Sequence, residues 1–113
     1  MSYRKYGAKR TTVDGITFDS KAEARRFGVL KNLQKLGKIG DIKVHPEFVL
    51  AEPVKGKLRA IKYEADFLYY DMEIKQNVIE DVKGFPTAAY RIKKNMFLRM
   101  LPENHIFMEI KKA

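Results

Sequence analysis

The charged residues in the second half of the chain have the types and spacing of a cation-binding site. Asp81 and Lys83 stand two positions apart in the β-prone run IEDVKG, so both side chains are expected on one strand face. Asp66 lies in the preceding run, YEADFLYY, where carboxylates interrupt apolar residues. Burying carboxylates beside a lysine is unfavourable unless another charge compensates, and a divalent cation commonly does so. The two runs therefore predict an oxygen-lined cation site.

Pairing of the two runs as a β-hairpin brings their acids together. We take Tyr70 and Asn77 as partners next to the turn. The same register sets Asp66 opposite Asp81, with Cβ atoms about 4.5–5.5 Å apart. Two carboxylates at that separation repel each other unless a cation bridges them. A register shift of one residue would remove this arrangement.

Two further acids, Glu64 and Glu80, are candidates for supporting roles. In the same register Glu64 lies opposite Lys83, which is an attractive pair of charges. Glu80 is expected to face away from Asp81, because side chains alternate along a strand. A bulge in the strand would reverse the directions in which Glu80 and Asp81 face. The choice between them as the ligand from this strand therefore stays open.

A helix predicted over residues 21–36 supplies a third acid. Its start has the capping-box pattern SKAE at residues 20–23, and Gly37 is typical of a helix end. Glu23 and Arg26 fall on the apolar side of this helix. The apolar residues on that side are Ala22, Phe27, Leu30, Leu33 and Leu36. Glu23 is interpreted as a cap, a site carboxylate or both, and Arg26 is expected to bind an acid or a phosphate.

The remaining elements surround the hairpin and the helix. Alternating apolar residues predict strands, and Pro46 interrupts the first long one. Thr87 is expected to cap a second helix, which Pro102 ends. The predicted elements are a turn or short strand at 13–18, a helix at 21–36, a strand at 42–50, a loop at 51–57, a strand at 58–70, a turn at 71–76, a strand at 77–84, a helix at 88–101 and a strand at 105–111.

The second helix and the two histidines add further charged or ligating groups. The predicted apolar arc of the helix comprises Ala89, Ile92, Met96, Phe97 and Met100. Lys93 falls within that arc and is interpreted either as snorkelling to solvent or as reaching the site. Arg91 and Lys94 lie outside the arc, where they are available to DNA phosphates. His45 and His105 are isolated in the sequence, without ligand spacing, and are interpreted as structural.

Composition indicates one basic globular domain. The 113 residues suffice for a single core, and 45% hydrophobic residues argue against disorder. The absence of cysteine excludes disulfides, zinc-thiolate sites and thiol catalysis. Lys and Arg number 23 against 14 Asp and Glu, and the net charge of +9 favours a polyanionic partner such as DNA. The chain has neither an apolar run of membrane-spanning length nor a signal core, so we expect a cytoplasmic protein.

The N-terminal segment differs in composition from the rest of the chain. Residues 1–12 are expected to form a flexible basic arm, and residues 13–113 a single domain. The arm is interpreted either as a segment that contacts phosphates or as a frayed terminus. Its four cations are Arg4, Lys5, Lys9 and Arg10.

The acids and the lysine together suit metal-assisted hydrolysis of phosphodiesters. Glu23, Asp66 and Asp81 offer the oxygen ligands that Mg²⁺ or Mn²⁺ prefers. Lys83 on the same face is placed to orient or deprotonate a water, or to stabilise developing charge. The same face also fits a structural salt bridge in a non-catalytic nucleic-acid-binding module. The residues alone leave both interpretations open.

The order helix-strand-strand-strand-helix-strand, with an acid on the first helix, resembles the core of the PD-(D/E)XK nuclease superfamily. Asp66 matches the first motif acid, residues 81–83 match the D/E-x-K tripeptide, and Glu23 matches the first-helix glutamate. Alanine precedes Asp66 where many members have proline. The strings KYGAKRTTVDGITFDSKAEARRF, YEADF, EDVKG and TAAYRIKKNMF are similar to a family of small phage and prophage proteins in that superfamily.

This resemblance implies a restriction-endonuclease-like α/β fold, in which an αβββαβ core has a mixed sheet flanked by helices. It implies a Mg²⁺-dependent or Mn²⁺-dependent DNA endonuclease. The implied catalytic residues are Glu23, Asp66, Asp81 and Lys83, of which the three acids hold the metal. Thr87, Tyr90 or Lys93 are implied to assist from the second helix.

The resemblance also bears on substrate and partners. Similar phage nucleases include Holliday-junction resolvases of the endonuclease I type, which act as homodimers on branched DNA. We therefore expect a homodimeric resolvase in the cytoplasm of a bacterial host cell. A basic assembly protein of a phage replication complex is a further hypothesis.

Overall fold

A computed structural model describes residues 10–83 and 86–111 of the chain. No helix in these two ranges is long and apolar enough to cross a membrane. The elements are β1 (Thr11–Val13), β2 (Ile16–Phe18), α1 (Lys21–Lys35), β3 (Ile39–Val44), β4 (Glu47–Ala51), β5 (Ile61–Glu64), β6 (Phe67–Asp71), β7 (Gln76–Lys83), α2 (Ala88–Arg99) and β8 (His105–Lys111).

The central sheet has four strands in the order β3-β6-β7-β8. β6 is antiparallel to both β3 and β7, whereas β8 pairs parallel with β7. A tight turn does not join parallel strands, and α2 provides the crossover between β7 and β8. Without the two strand pairs β1–β2 and β4–β5, the elements follow the order α1-β3-β6-β7-α2-β8. The expected α/β class, with a mixed sheet and two helices, is confirmed.

Side-chain alternation along the strands divides the core between the two faces of this sheet. Val78 of β7 packs in a cluster with Phe27 of α1 on one face. Its neighbour Ile79 packs with Tyr90 and Phe97 of α2 on the other face. Full burial of an apolar side chain of this size stabilises the fold by about 1.5–3 kcal/mol. The two helices therefore cover opposite faces of the sheet.

α1 begins at a reciprocal cap. The Ser20 hydroxyl accepts a hydrogen bond from the Glu23 N–H, and the Glu23 carboxylate accepts one from the Asp19 N–H. Gly37 follows the helix with a φ of 73°, which glycine adopts without strain. The predicted start and stop are confirmed. Leu36 was wrongly placed on the buried side: it is the C-cap, where the chain leaves the helix, and is 69% exposed.

The predicted single strand over residues 58–70 is wrong. It consists of β5 and β6, which belong to different sheets and are separated by Ala65 and Asp66. Opposite this break, Pro46 has no N–H for a ladder and separates β3 from β4. The His45 N–H donates to the Asp66 carbonyl at 2.9 Å, which joins the two interruptions. β4 and β5 therefore pair with each other, apart from the central sheet.

The predicted hairpin register is confirmed up to this break. β6 and β7 pair with Tyr70 opposite Asn77, and the ladder ends before Asp66. Because Asp66 has left the strand, its expected pairing with Asp81 is not formed. The Asp66 N–H instead donates to the Glu80 carbonyl at 3.0 Å.

Glu64 moves with β5 into the separate pair of strands. Its partner there is Glu47 of β4, and its side chain is exposed. The predicted pairing of Glu64 with Lys83 is therefore wrong. The pattern of alternation continues through Ala65 and Asp66, and so it does not reveal that the chain changes sheets.

The segment before α1 forms a hairpin of β1 and β2. Asp14 and Gly15 turn with φ values of 52° and 77°, the left-handed pair typical of a two-residue hairpin loop. β1 takes in Thr11 and Thr12, which were expected to belong to the basic arm. Residues 1–9 lie outside the described residues.

α2 buries Phe97 of the predicted apolar arc but exposes most of the rest of it. Tyr90 and Phe97 are buried, whereas Ala89, Ile92 and Met100 are exposed. The Phe97 ring packs against rings of β4 and β5, with centroid separations of 4.6 and 5.1 Å. The packing of these aromatic rings determines which face of α2 is buried. Helical spacing of apolar residues does not reveal this packing.

Candidate metal centre

Asp81 lies on the α2 side of β7 and is 1% exposed. Its Oδ2 accepts a hydrogen bond from the Tyr63 hydroxyl. The Lys83 Nζ lies 3.1 Å from Oδ1, so the two side chains share a face as predicted. Apart from this ion pair, Oδ1 has no hydrogen-bond partner among the described residues. Since an unpartnered buried carboxylate oxygen is unfavourable, Oδ1 is a candidate ligand for a cation.

Lys83 is held between the Asp81 carboxylate and an aromatic ring. Its Nζ lies 4.3 Å from the centre of the Tyr90 ring, within the range of a cation–π contact. The Tyr90 hydroxyl donates to Glu109 at 2.5 Å, which anchors that ring. The Lys83 side chain is 31% exposed. The ammonium is thus positioned by two contacts and still accessible from solvent.

Asp66 extends from the break between β5 and β6 back toward β7. Its Oδ2 accepts a hydrogen bond from the Val82 N–H at 2.5 Å, which replaces the ladder partner that β7 lacks here. Burial raises the pKa of Asp66, and so do a hydrogen bond with Glu23 and the charges of Glu23 and Asp81. Burial also raises the pKa of Asp81, although Lys83 and Tyr63 oppose the rise. Acids this close need either shared protons or a cation.

Glu23 serves as a cap and also lies beside Asp66. Its Oε2 accepts from the Asp19 N–H at 2.9 Å. Its carboxylate also lies within 4.8 Å of a ligand atom of Asp66. Both interpretations of this residue are therefore compatible with its position in the first turn of α1.

His45 is the candidate that the sequence did not reveal. A ring nitrogen of His45 and carboxylate oxygens of Glu23 and Asp66 all lie within 4.8 Å of one another. His45 is thus not isolated in the fold. The available sequence signal was its position before Pro46, at the strand interruption. That signal does not indicate which distant residues lie nearby.

Glu80 faces the opposite side of β7 and has partners of its own. Arg26 donates two hydrogen bonds to its carboxylate, at 2.7 and 2.6 Å, and the Tyr69 hydroxyl donates another. The hydrogen bond with Glu80 raises the pKa of Arg26. The expected acidic partner of Arg26 is confirmed. Because β7 pairs without a bulge, Glu80 points away from Lys83, and Asp81 is the acid of this strand that faces it.

The other predicted candidates surround the site. Thr87 caps α2 as expected, because its Oγ1 accepts from the Tyr90 N–H at 3.1 Å. Lys94, expected to contact DNA phosphates, forms an ion pair with Glu109 at 3.1 Å. Arg10 and Arg91 are exposed and Lys93 is half-buried. Arg4, Lys5 and Lys9 lie outside the described residues.

Residues 3–113 match a family described as a protein of unknown function, DUF1064. The chain belongs to the DUF1064 family. No curated protein matches it. The match to DUF1064 spans every residue of the candidate metal centre as well as the whole described fold.

The donor set of this DUF1064 protein fits a divalent cation. Glu23 and Asp66 provide carboxylate oxygens, the usual ligands of Mg²⁺ and Mn²⁺, and His45 lies with them. Asp81, the third predicted ligand, is not in this group, and its buried Oδ1 faces Lys83 instead. Asp66 is crowded by other acids, and a cation bound beside it would relieve that crowding. Lys83 lies close enough to act on a ligand bound at the same place.

Proposed function

We propose that this DUF1064 protein is a Mg²⁺-dependent or Mn²⁺-dependent DNA endonuclease of the PD-(D/E)XK type. The observation that carries the proposal is the buried Oδ1 of Asp81, which forms an ion pair with the Lys83 ammonium at 3.1 Å and lacks a hydrogen-bond partner among the described residues. An acid and a lysine on one strand face, with a carboxylate from the break between β5 and β6 and another from α1, suit phosphodiester hydrolysis.

Each side chain has a distinct role in this proposal. Glu23, Asp66 and Asp81 hold the metal, which when bound lowers the pKa of a water and polarises the scissile phosphate. Lys83 orients the attacking water or stabilises the charge that develops on the phosphate. The Tyr90 ring keeps the Lys83 ammonium beside Asp81. The chain contributes position and charge, and the metal contributes the activated water.

DNA is the proposed substrate because the protein is strongly basic. Its net charge is +9, and Arg10 and Arg91 are exposed. Such charge favours phosphate contacts, which supply most of the affinity in sequence-independent binding. We extend the proposal to branched DNA cut by a homodimer. One site cleaves one strand, so paired cuts across a junction require two copies.

Cleavage assays on supercoiled plasmid and on a synthetic four-way junction test this proposal. Wild type should cut in Mg²⁺ or Mn²⁺ and not in EDTA. Asp81→Asn, which nearly preserves side-chain shape, should lower the rate about 100-fold through weaker metal binding. Glu64→Gln changes a nearby exposed carboxylate in the same way and should cut like wild type. Equal cleavage by wild type and Asp81→Asn, or none by any protein on both substrates, contradicts the proposal.

A non-catalytic nucleic-acid-binding module is the alternative. The close approach of Lys83 to Asp81 favours it, because the ammonium partly neutralises the carboxylate without a metal. In that case DNA binding is sensitive to salt and indifferent to Mg²⁺. Asp66→Ala would then lower stability without any cleavage activity to lose.

A further inference from the structure

His45 and Asp66 are brought together by the two neighbouring strand interruptions. The His45 N–H donates to the Asp66 carbonyl at 2.9 Å, and the Ala65 N–H donates to the Pro46 carbonyl at 3.0 Å. These backbone hydrogen bonds hold the two segments side by side. Glu23 completes the group from the first turn of α1. Three separate parts of the chain thus converge on one point.

The backbone of His45 has an uncommon conformation. Its φ is 55°, in the left-handed region that few non-glycine residues occupy. A residue before proline is restricted further, toward extended conformations. Such strain amounts to about 1–3 kcal/mol, and strained residues cluster at functional sites. Here the strained residue is the one whose imidazole lies beside two buried carboxylates.

The upper limit on the separations within this group is close to the largest separation in the shell of a single ion. Ligand atoms lie about 2.0–2.3 Å from a bound metal, so two of them are at most about 4.6 Å apart. The ligand atoms of Glu23, His45 and Asp66 lie within 4.8 Å of one another. Asp81 is not a member of this group, although its charge acts on Asp66 and its buried Oδ1 lacks a hydrogen-bond partner among the described residues.

We propose that His45 is a nitrogen ligand of the metal centre, so that the centre prefers transition-metal dications such as Mn²⁺ over Mg²⁺. Imidazole nitrogen binds first-row transition metals well, whereas Mg²⁺ takes oxygen ligands and retains its waters. This inference deepens the proposed function and rests on its metal site, but it does not require that the protein cleave DNA.

Mn²⁺ binding to the full chain tests the role of His45. Pulsed electron paramagnetic resonance of the wild-type complex should show coupling of Mn²⁺ to a ¹⁴N nucleus. In His45→Asn that coupling should disappear, and calorimetric titration should show Mn²⁺ affinity lower by about 10-fold or more. Mg²⁺ affinity should be unchanged. Asparagine is chosen because it tolerates the left-handed backbone conformation, and circular dichroism checks the fold.

His105→Asn is the matched control, because it removes the other histidine of the chain. The His105 ring contacts the Glu103 carbonyl at 2.8 Å, at the start of β8. This variant should retain the nitrogen coupling and the Mn²⁺ affinity. Absence of the coupling in wild type, or its persistence in His45→Asn, overturns the inference.

The outcomes separate this inference from the proposed function. A wild-type protein that binds Mn²⁺ through nitrogen and cuts no DNA supports the His45 ligand and contradicts the nuclease. A protein that cuts DNA and coordinates Mn²⁺ through oxygen alone supports the nuclease and contradicts the His45 ligand. If wild type binds no Mn²⁺, the His45 ligand is wrong.

Discussion

The two carboxylate oxygens of Asp81 have different surroundings. Oδ2 receives the Tyr63 hydroxyl, and Oδ1 lies beside Lys83 without a hydrogen bond. Burial, followed by the charge of Asp81, raises the pKa of Tyr63. The phenol therefore remains a protonated donor at physiological pH. Oδ2 therefore accepts the hydrogen bond from Tyr63, and Oδ1 is the oxygen that can bind a cation.

Tyr63→Phe should destabilise the protein because it removes the donor and keeps the ring. Oδ2 would become a second buried oxygen without a partner, and we expect the free energy of unfolding to fall by about 1–3 kcal/mol. Urea denaturation measures the change. Tyr70→Phe, at a half-buried tyrosine of β6, is the control and should lose less. Equal losses in the two variants would show that the hydroxyl of Tyr63 has no special role.

At the scale of elements, an ion pair attaches α1 to β7. The Arg26 guanidinium forms two hydrogen bonds to Glu80, whose side chain is fully buried. A buried pair of this kind adds little over an apolar pair of the same shape. Loss of one partner is different, because it leaves a charge buried and unpaired. The ion pair therefore determines how α1 sits on the sheet, and with it the position of Glu23.

Arg26→Met should lower the free energy of unfolding by about 3–5 kcal/mol, because Glu80 is then left without its cation. The double variant Arg26→Met/Glu80→Gln should recover most of that loss. Arg25→Met removes an exposed arginine from the same helix and should change stability by less than about 0.5 kcal/mol. Thermal and urea denaturation of the set measure these differences. A double variant no more stable than Arg26→Met would contradict this account.

At the scale of the whole molecule, a chain with a net charge of +9 buries several of its acids. Burial, a hydrogen bond with Glu23 and the charges of Glu23 and Asp81 raise the pKa of Asp66 to about 10, against 3.8 for a free aspartic acid. Between these two values the folded state retains a proton that the unfolded state has released. Without metal, this group therefore contributes stability at low pH that is lost as pH rises toward the folded pKa. A bound cation removes the loss, because it takes the place of the proton.

The pH dependence of stability should therefore reverse with metal. In EDTA, Asp66→Asn should gain stability relative to wild type as pH rises from 6 to 9, by at most about 1.4 kcal/mol per pH unit. In saturating Mn²⁺ wild type should be more stable than Asp66→Asn, because the variant lacks a metal ligand. Melting temperatures of both proteins across this pH range, in EDTA and in Mn²⁺, give the two comparisons. Subtracting the wild-type value from the variant value removes the effect of ionisable groups that the two proteins share. A difference independent of pH in EDTA would mean that Asp66 has an ordinary pKa.

Features encoded by neighbouring residues were predictable from the sequence. The capping pattern placed the start of α1, and the two-residue period placed Asp81 and Lys83 on one face. The turn set the register of β6 and β7. Helical spacing was enough to expect an acidic partner for Arg26, which proved to be Glu80. Each of these depends on contacts within one element or one hairpin.

Tertiary contacts decided the rest of the candidate metal centre. Hydrogen bonds between the two strand interruptions take Glu64 out of the site and bring in His45, which had no local signal. They also leave Asp66 free of the ladder, so that it reaches Val82 and Glu23. Periodicity continues through Ala65 and Asp66 unchanged, because both sheets bury alternate residues. The sequence alone therefore determined that Asp81 and Lys83 share a strand face, whereas long-range packing determined where the neighbouring strand ends and which side chains meet there.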